Sequence, residues 1–530
     1  MSLFRWGLLL VLVGILGMAV YQTILWSGAW GDPYESQVMA LKDGDQEIAF
    51  IEPATSSDDW VRIVTALELL KIDWPSINPT LPALAVDLDG AFRRRTAEVP
   101  EIVLSFGTNP AQHLRLRWYK ISGEHDAASW VRKLHQRGRP PLAILGGATS
   151  DRALRLANAL NETYPTTDEP APVFLITTAT AENTAEDRPL IAQYPKRSFR
   201  FSFTNQRMVK ALLKFVQQTP DLWPSREADP QAVAMRAVSW EDERYSLDLA
   251  ELFEREFKNR FPHGKFRNEG SIQYSVGGFF HPAPSEQIMV STIAQSFAPQ
   301  TLLVLPTQAV RMRRFLINLR QRSPQDVRRL VILNGDAISF HNVYRDRDVM
   351  WNRHDLPFTL IFFQHRNPIE RSAGFRWVKE DRFDPDAMPQ LTTSGTHDIL
   401  LYRDVFEAIL YAAVDRAALL DEPRLVRERL EATRWHHPAP DPANPVAARV
   451  TNTHVHPFAV ASERFFDAAG NRRSYTGEHI VMVKPNFPED AVALTSQISI
   501  WASEPKKKGG AWQLVGAHET TYNQVRVEEP

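Results

Sequence analysis

Residues 142–159 read LAILGGATSDRALRLANA, and they decide how the rest of the chain is interpreted. Apolar residues 142–145 predict a buried strand, and apolar residues recur at helical spacing from Leu154 onward. Between them, two glycines open a turn of small and polar residues at positions 148–151. Parallel α/β sheets bind ligands at the carboxyl ends of their strands, where a helix N-terminus can also hold an anion. The stretch therefore predicts an α/β sheet with a binding turn.

The same pattern recurs in VFLI at residues 173–176, which TTAT follows at residues 177–180. Because neighbouring parallel strands end at one edge of a sheet, both turns would face one cleft. Alternatively, serine and threonine at these positions only cap helices, as they do in any α/β protein. The two roles are compatible, since a capped helix can still present backbone N–H groups to a carboxylate. The candidate ligand contacts in these turns are Ala148, Thr149, Ser150, Thr178, Ala179 and Thr180.

Four motifs carry a resemblance to a known family. They are GGATSD at 146–151, PVFLITTAT at 172–180, YPKRSFRFSFTNQRMVKALLKFV at 194–216 and AVSWEDERYSLDLAELFEREF at 237–257. Their order and spacing resemble the type I periplasmic binding proteins, especially the branched-chain amino acid receptors of ABC transporters, over residues 47–512. The resemblance implies an α/β fold with two doubly wound parallel-sheet lobes that close around a ligand. It also implies that the first two turns hold the carboxylate of that ligand.

Strand and helix patterns divide the chain into segments. A first lobe is predicted over residues 47–204, a second lobe over 205–365, and a return to the first lobe over 366–437. The stretch PAPDPANP at 438–445 contains too much proline for a helix or a central strand, so it indicates a linker. Together with the strand-rich remainder it forms a C-terminal segment, 438–530, that would complete the receptor.

The amino terminus predicts a membrane anchor. Residues 6–26, WGLLLVLVGILGMAVYQTILW, carry no charge, are about long enough to cross a bilayer, and have tryptophan at both ends. Because Arg5 precedes this segment and Asp32 follows it, the positive-inside rule places the bulk of the chain outside the cytoplasm. The alternative is a cleaved signal peptide, but the apolar run is long for one and no clear cleavage site follows it. We therefore predict a transmembrane helix within residues 1–26, a tether over 27–46, and a single-pass protein of the cell membrane with a periplasmic bulk.

The second lobe departs from the family pattern at one position. The resemblance implies an acidic side chain that pairs with the ligand ammonium, and here Gln308 stands at the corresponding strand end. A neutral amide cannot offset a buried positive charge, so an ammonium in a closed cleft would need another partner. Asp336 or Asp242 could supply it. Tyr245 matches a tyrosine that lines the pocket in the family, although it could equally just begin an amphipathic helix.

The composition excludes several classes of function. Of 530 residues, 44% are hydrophobic and 23% are charged, the net charge is −2, and no basic stripe indicates nucleic acid. Cysteine is absent, which excludes disulfides, thiol catalysis and cysteine zinc sites. No hydrolase, Walker or dinucleotide motif occurs, so we expect neither an enzyme nor a cofactor. His454 and His456 imply no third ligand, so no metal is expected, and the acids at 241–243 are interpreted as a solvated turn.

The sequence thus predicts an extracytoplasmic solute-binding receptor that closes around a small polar or anionic, amino-acid-like ligand. Its expected partners are that ligand, the membrane, and an ABC permease or another membrane protein. The alternative is a membrane-anchored, non-catalytic scaffold or sensor whose cleft is degenerate. The neutral side chain of Gln308 and the fixed anchor favour this alternative. A sensor would need a second protein, because the predicted cytoplasmic tail is too short to signal alone.

Overall fold

The structure is a computed structural model, and it describes most of the chain beyond residue 37. The described residues are 38–78, 80–93, 97–107, 112–123, 125–166, 170–182, 188–222, 233–273, 283–295, 301–322, 330–338, 358–365, 396–415, 418–433, 465–472, 478–486, 495–503 and 511–521. The predicted anchor and the first part of the tether, residues 1–37, lie outside them, as does the predicted linker at 438–445. Within the described ranges, no helix is long and apolar enough to cross a membrane.

The first lobe is built on a seven-stranded sheet. Its strands are β1 (Gln46–Pro53), β2 (Leu84–Asp87), β3 (Glu101–Phe106), β4 (Leu114–Ile121), β5 (Ala143–Gly146), β6 (Val173–Ile176) and β7 (Ser198–Arg200). They lie in the order β2-β3-β4-β1-β5-β6-β7. The strands from β4 to β7 in this order run parallel, whereas β2 and β3 form an antiparallel edge. The sheet is thus parallel as predicted from β4 to β7, and the sequence did not predict its antiparallel edge.

Helices from both parts of the chain cover the two faces of this sheet, beginning with α1 (Ser57–Ile77), α2 (Ala127–Gln136) and α3 (Ser150–Thr163). Alternate residues of β1 point to opposite faces. Ile48 and Phe50 share a buried cluster with α1, whereas Ala49 and Ile51 share one with α2 and α3. Because β1 is buried on both faces, the sequence of its centre is a continuous apolar run and does not alternate between apolar and polar residues.

The second lobe is built on an eight-stranded sheet in the order β17-β16-β15-β12-β11-β10-β8-β9. The remaining strands of the chain are β8 (Val233–Trp240), β9 (Lys265–Ile272), β10 (Leu302–Val304), β11 (Val331–Leu333), β12 (Thr359–Gln364), β13 (Val414–Asp415), β14 (Ala418–Leu419), β15 (His479–Asn486), β16 (Thr495–Ser503) and β17 (Trp512–Thr521). Strands β8 to β12 run parallel, and β15 to β17 are antiparallel. The C-terminal strands thus form an antiparallel edge of the second lobe, while β13 and β14 pair separately.

Helices α4 (Asn205–Gln218) and α5 (Arg244–Arg260) cover one face of the second sheet, and α6 (Pro284–Ala294) and α7 (Ala309–Arg322) cover the other. Strand β9 lies at the outer edge of this sheet, next to β8. Because β9 is an edge strand in which only Ile272 is buried, no apolar pattern marks it in the sequence.

The chain passes between the lobes after β7, between residues 365 and 396, and again between residues 472 and 478. The second of these passages leads to α8 (Thr396–Ala413), which joins the buried cluster of α1 in the first lobe. Helix α9 (Pro423–Ala432) follows and packs in the same cluster. The second lobe is thus formed by two separate parts of the chain, β8 to β12 and β15 to β17, and each is connected to the first lobe.

Arg472 ties these passages together at the hinge. Its Nη1 donates to the carbonyl of Phe201 at 3.1 Å, and its Nη2 donates to the carbonyl of His365 at 3.4 Å. Its guanidinium carbon lies 4.5 Å from the ring centroid of Phe203. A single buried side chain therefore contacts all three connecting segments.

Two arginines fix the chain where it enters the first lobe. The carbonyl of Met39 accepts hydrogen bonds from Arg117 Nη1 and Arg137 Nη1, both at 3.1 Å. Arg117 Nη2 also donates to the carbonyl of Ala40 at 3.2 Å, and both arginines pair with Glu47 in β1. This attachment lies at the N-terminal end of β1, opposite the carboxyl edge of the sheet.

Candidate functional site

The carboxyl ends of β5 and β6 bring the two predicted turns together. Thr178 Oγ1 donates to the carbonyl of Ala148 at 2.9 Å, and the N–H of Ala179 donates to the carbonyl of Gly147 at 3.0 Å. Thr149 caps α3, because its side chain accepts a hydrogen bond from Arg152 N at 3.3 Å. The predicted capping role of Thr149 is thus present in the structure.

The other predicted residues of these turns are buried between them. Ser150 Oγ accepts a hydrogen bond from the N–H of Ala181 at 3.2 Å, and Ser150 is buried. Ala179 and Thr180 are buried as well, and the carbonyl of Thr180 accepts a hydrogen bond from Asn205 N at 2.8 Å. Thr149 and Thr178 remain half-buried. The part of the turns nearest to solvent is therefore formed by residues 148, 149 and 178.

The glycine pair allows the turn to lie against α3. Gly147 has φ of +79°, and a Cβ atom there would lie 2.9 Å from the Cβ of Ala153. A Cβ atom on Gly146 would lie 3.0 Å from the carbonyl oxygen of Ile51. A side chain at either position would push the helix N-terminus away from the strand ends.

Glu52, at the carboxyl end of β1, occupies the space beside this turn. Its Oε1 accepts a hydrogen bond from the Ala148 N–H at 2.8 Å, and its Oε2 lies 3.1 Å from Arg152 Nη1. The residue is only 1% exposed. Burial raises the pKa of Glu52 to about 7, although the Ala148 N–H and the charge of Arg152 favour the carboxylate. A backbone N–H that the sequence assigned to a ligand anion is therefore bonded to a carboxylate of the chain itself.

A second charged cluster lies at the carboxyl end of β8. Arg311 Nη1 and Nη2 donate to the two carboxylate oxygens of Asp242 at 2.9 and 2.6 Å, and Nη1 also donates to Glu243 at 2.7 Å. Thr307 Oγ1 donates to Glu243 at 3.0 Å. The side chain of Glu243 is 14% exposed, so interpreting the three acids as a solvated turn was wrong for this residue.

Burial shapes the protonation of this cluster. It raises the pKa of Glu243 to about 7, against the opposing charge of Arg311. Burial also disfavours the charged form of Arg311, but its hydrogen bonds to Asp242 and the charge of Glu243 outweigh that cost and raise the pKa of Arg311. Asp242 is thus paired with a guanidinium of the chain rather than left for a ligand ammonium.

Tyr245 and Asp336 meet at the end of β11. The Tyr245 hydroxyl oxygen accepts hydrogen bonds from the N–H groups of Asp336 and Ala337 at 3.0 and 3.3 Å. Asp336 Oδ2 lies 2.7 Å from His365 Nε2, while His365 Nδ1 accepts a hydrogen bond from the N–H of Phe203 at 3.1 Å. The proton of a neutral His365 therefore lies on Nε2 and is donated to Asp336. Asp336, like Asp242, has a partner within the chain.

Gln308 stands apart from this group. It precedes α7 and is exposed, and its carbonyl accepts a hydrogen bond from Met312 N at 3.0 Å. The structure thus brings Tyr245 and Asp336 together, whereas it leaves Gln308 at the helix N-terminus.

Helices α3 and α5 meet N-terminus to N-terminus where the two lobes are in contact. Asp151 Oδ2, in the first turn of α3, accepts a hydrogen bond from the N–H of Arg244 at 3.3 Å. Asp248 on α5 accepts hydrogen bonds from the N–H of Glu182 at 3.1 Å and from Asn205 Nδ2 at 2.8 Å. Carboxylates stabilise helix N-termini, so Asp151 offsets the positive dipole ends that face each other here. These contacts hold the lobes together in the structure.

No group of three histidine, aspartate or glutamate residues in the described part of the chain could hold a metal ion. His454 and His456 lie outside that part.

Comparison with known proteins bears on the fold. No protein-family model and no curated protein matches the chain. Among solved structures, the chain is similar to a leucine-binding protein from Thermotoga maritima, with 14% identity, a TM-score of 0.50, and coverage of 89% of this chain and 98% of that one. It is also similar to the closed leucine-, isoleucine-, valine-, threonine- and alanine-binding protein from Brucella ovis, with 10% identity, a TM-score of 0.52, and coverage of 89% and 95%. The chain has the type I periplasmic binding protein fold.

Within this type I fold, Glu52, Arg311 and His365 are charged or polar residues of the site that were not predicted from the sequence. Glu52 and His365 had a usable signal, because each follows an apolar strand at its carboxyl end. Arg311 had none, since its pairing with Asp242 joins residues that are distant in sequence.

Proposed function

We propose that the chain is an extracytoplasmic solute-binding receptor that closes its two lobes around a small polar ligand and delivers it to an ABC permease or another membrane protein. The observation that carries this proposal is the contact between α3 and α5. The contact joins the lobes at the helix N-termini that follow β5 and β8, with Asp151 of the first lobe bonded to Arg244 of the second. Closure of two hinged lobes around a ligand would bring these strand ends together.

The relatives in structure support a binding role rather than catalysis. The names of the two similar proteins describe binding of leucine and other amino acids. Their structural similarity supports the same fold for this chain, but at such low sequence identity it does not indicate the same ligand. The ligand has to be inferred from the residues of the candidate site.

We further propose that residues 6–26 anchor the receptor in the cell membrane, with the lobes in the periplasm. The support is the uncharged apolar run and the arginine that precedes it. The full chain should stay with the membrane fraction after alkaline extraction. Replacing Leu10 and Val13 by arginine should release it, and release of the unaltered chain would contradict the anchor.

Lobe closure can be measured directly, because the chain has no cysteine of its own. Cysteines at the exposed positions Arg155 on α3 and Glu251 on α5 would carry one spin label on each lobe. Without ligand we expect a broad distance distribution, and a ligand should shift it toward the shorter, closed separation. A pair at Arg155 and Glu162, both exposed on α3, is the matched control and should not respond.

The ligand can be sought by thermal shift of the full chain with L-leucine, leucinamide, isopentylamine, benzoate and glucose. A ligand that binds only the folded state stabilises it by about 2.7 kcal/mol at a hundred times its dissociation constant. A saturable shift that also shortens the label distance would support the receptor.

One observation favours the alternative of a degenerate, non-catalytic scaffold or sensor. The charged groups expected to recognise an amino acid are already paired within the chain, namely the Ala148 N–H with Glu52, Asp242 with Arg311, and Asp336 with His365. A fixed label distance and no thermal shift across the panel would favour this alternative.

A further inference from the structure

The carboxylate of Glu52 lies where the fold would place a ligand anion. The Ala148 N–H and the N-terminus of α3 provide a donor and a positive dipole end at the carboxyl edge of the first sheet. Glu52 is bonded to that donor at 2.8 Å and to Arg152 at 3.1 Å, and it is almost fully buried. The anion position of the first lobe is therefore filled from within the chain.

In the second lobe, the guanidinium of Arg311 is already paired with carboxylates of the chain. Both terminal nitrogens of Arg311 are bonded to Asp242, and one of them also to Glu243. Asp151 adds another carboxylate where the lobes meet. A ligand carboxylate entering this cleft would meet several carboxylates and would find both guanidiniums occupied.

A ligand without a carboxylate avoids this repulsion. An organic amine has no carboxylate to oppose Glu52 or Asp151, so neither of these side chains repels it. An α-amino acid would instead need the Glu52 side chain to leave its buried position.

We propose that Glu52 is a specificity-determining residue, which occupies the anion position of the first lobe and restricts the receptor to small ligands that carry no carboxylate. This inference rests on the proposed receptor function. It differs from that proposal because it names the class of ligand and the residue that selects it.

The first test is chemical rescue in the full chain. In Glu52→Ala, the Ala148 N–H and Arg152 lose their carboxylate, so acetate or propionate should raise the melting temperature of this variant saturably. The same salts should not shift the wild type relative to equal concentrations of chloride. Glu68→Ala removes another buried carboxylate, from α1, and is the matched control that should show no rescue.

The second test compares a matched pair of probes, L-leucine and isopentylamine, which is leucine without its carboxylate. The wild type should bind isopentylamine and not L-leucine, and Glu52→Ala should bind L-leucine at least about tenfold more tightly than the wild type does. Tight L-leucine binding that Glu52→Ala leaves unchanged would overturn the inference while keeping the receptor. Absence of rescue, or equal rescue of Glu68→Ala, would also overturn it.

If Glu52→Ala does not fold, Glu52→Gln keeps the side-chain volume and removes the charge that repels a ligand carboxylate, so it should bind L-leucine at least about tenfold more tightly than the wild type does. Unchanged binding would count against the inference. If neither the wild type nor any variant binds a member of the panel and no rescue occurs, the proposed receptor function itself fails.

Discussion

Glu52→Gln should change how the stability of the first lobe depends on pH. Folding raises the pKa of Glu52 from its ordinary 4.5 to about 7 because the carboxyl is buried. Between these values the unfolded chain loses the proton while the folded chain keeps it. The folded state therefore binds more protons, and the free energy of unfolding falls as the pH rises through this window.

The size of the effect follows from the same shift. Each pKa unit corresponds to about 1.4 kcal/mol, so the ionised Glu52 costs the folded state about 3 kcal/mol at pH 8 relative to pH 4. Glutamine keeps an acceptor for the Ala148 N–H but does not titrate. The difference in unfolding free energy between Glu52→Gln and the wild type should therefore move by about 3 kcal/mol in favour of the variant over this range.

Urea unfolding at several pH values, followed by tryptophan fluorescence, measures this difference. Glu243 also has a raised pKa, but it is present in both proteins and cancels in the comparison. Glu251→Gln changes an exposed glutamate on α5 and is the matched control, for which we expect no such trend. Parallel pH profiles for Glu52→Gln and the wild type would refute the reasoning, because they would mean that burial does not disfavour the ionised carboxyl.

Three other substitutions test the remaining contacts. Gly335→Ala places a Cβ atom 2.2 Å from the Tyr245 hydroxyl oxygen, so it should lower the free energy of urea unfolding by about 1–3 kcal/mol. Much of this loss of stability should disappear in a Tyr245→Phe background, and fully additive losses would contradict the clash. Arg472→Met removes donors from two buried carbonyls at the hinge and should cost about 1–3 kcal/mol, and it should also broaden the label distance between the lobes; an unchanged distance would mean that Arg472 does not restrain the hinge. Thr149→Ala removes the cap of α3 and should cost about 1 kcal/mol, whereas Thr149→Ser should not; if thermal shifts by a ligand persist in Thr149→Ala, the residue is a cap and not a ligand contact.

Local pattern explains what could be predicted of the fold. The apolar run at 173–176 has the bounds that the structure gives to β6, in which all four residues are buried. Nearby sequence is sufficient to predict such an element. Strand β9 has almost no buried face, and the antiparallel edge of β15 to β17 depends on which distant strand they join. Neither property is present in a short window of sequence.

The site follows the same division. The rule that parallel strands end at one edge predicted that the turns at 148–150 and 178–180 would be neighbours, and Thr178 does bond to Ala148. The charge pairs were harder to predict from the sequence, because the pairing of Asp336 with His365 depends on the alignment of β11 with β12. A list of acids at strand ends cannot say which of them already have a partner.

The arginine clamp on Met39 has a mechanical consequence for the anchored receptor. If residues 6–26 span the membrane as proposed, the tether between residue 26 and residue 39 can extend at most about 45 Å. Each receptor would then stay within about that distance of the bilayer surface rather than diffuse through the whole compartment. Its encounters with a permease would depend on lateral diffusion and on the length of the tether, and diluting the surrounding fluid would not slow them.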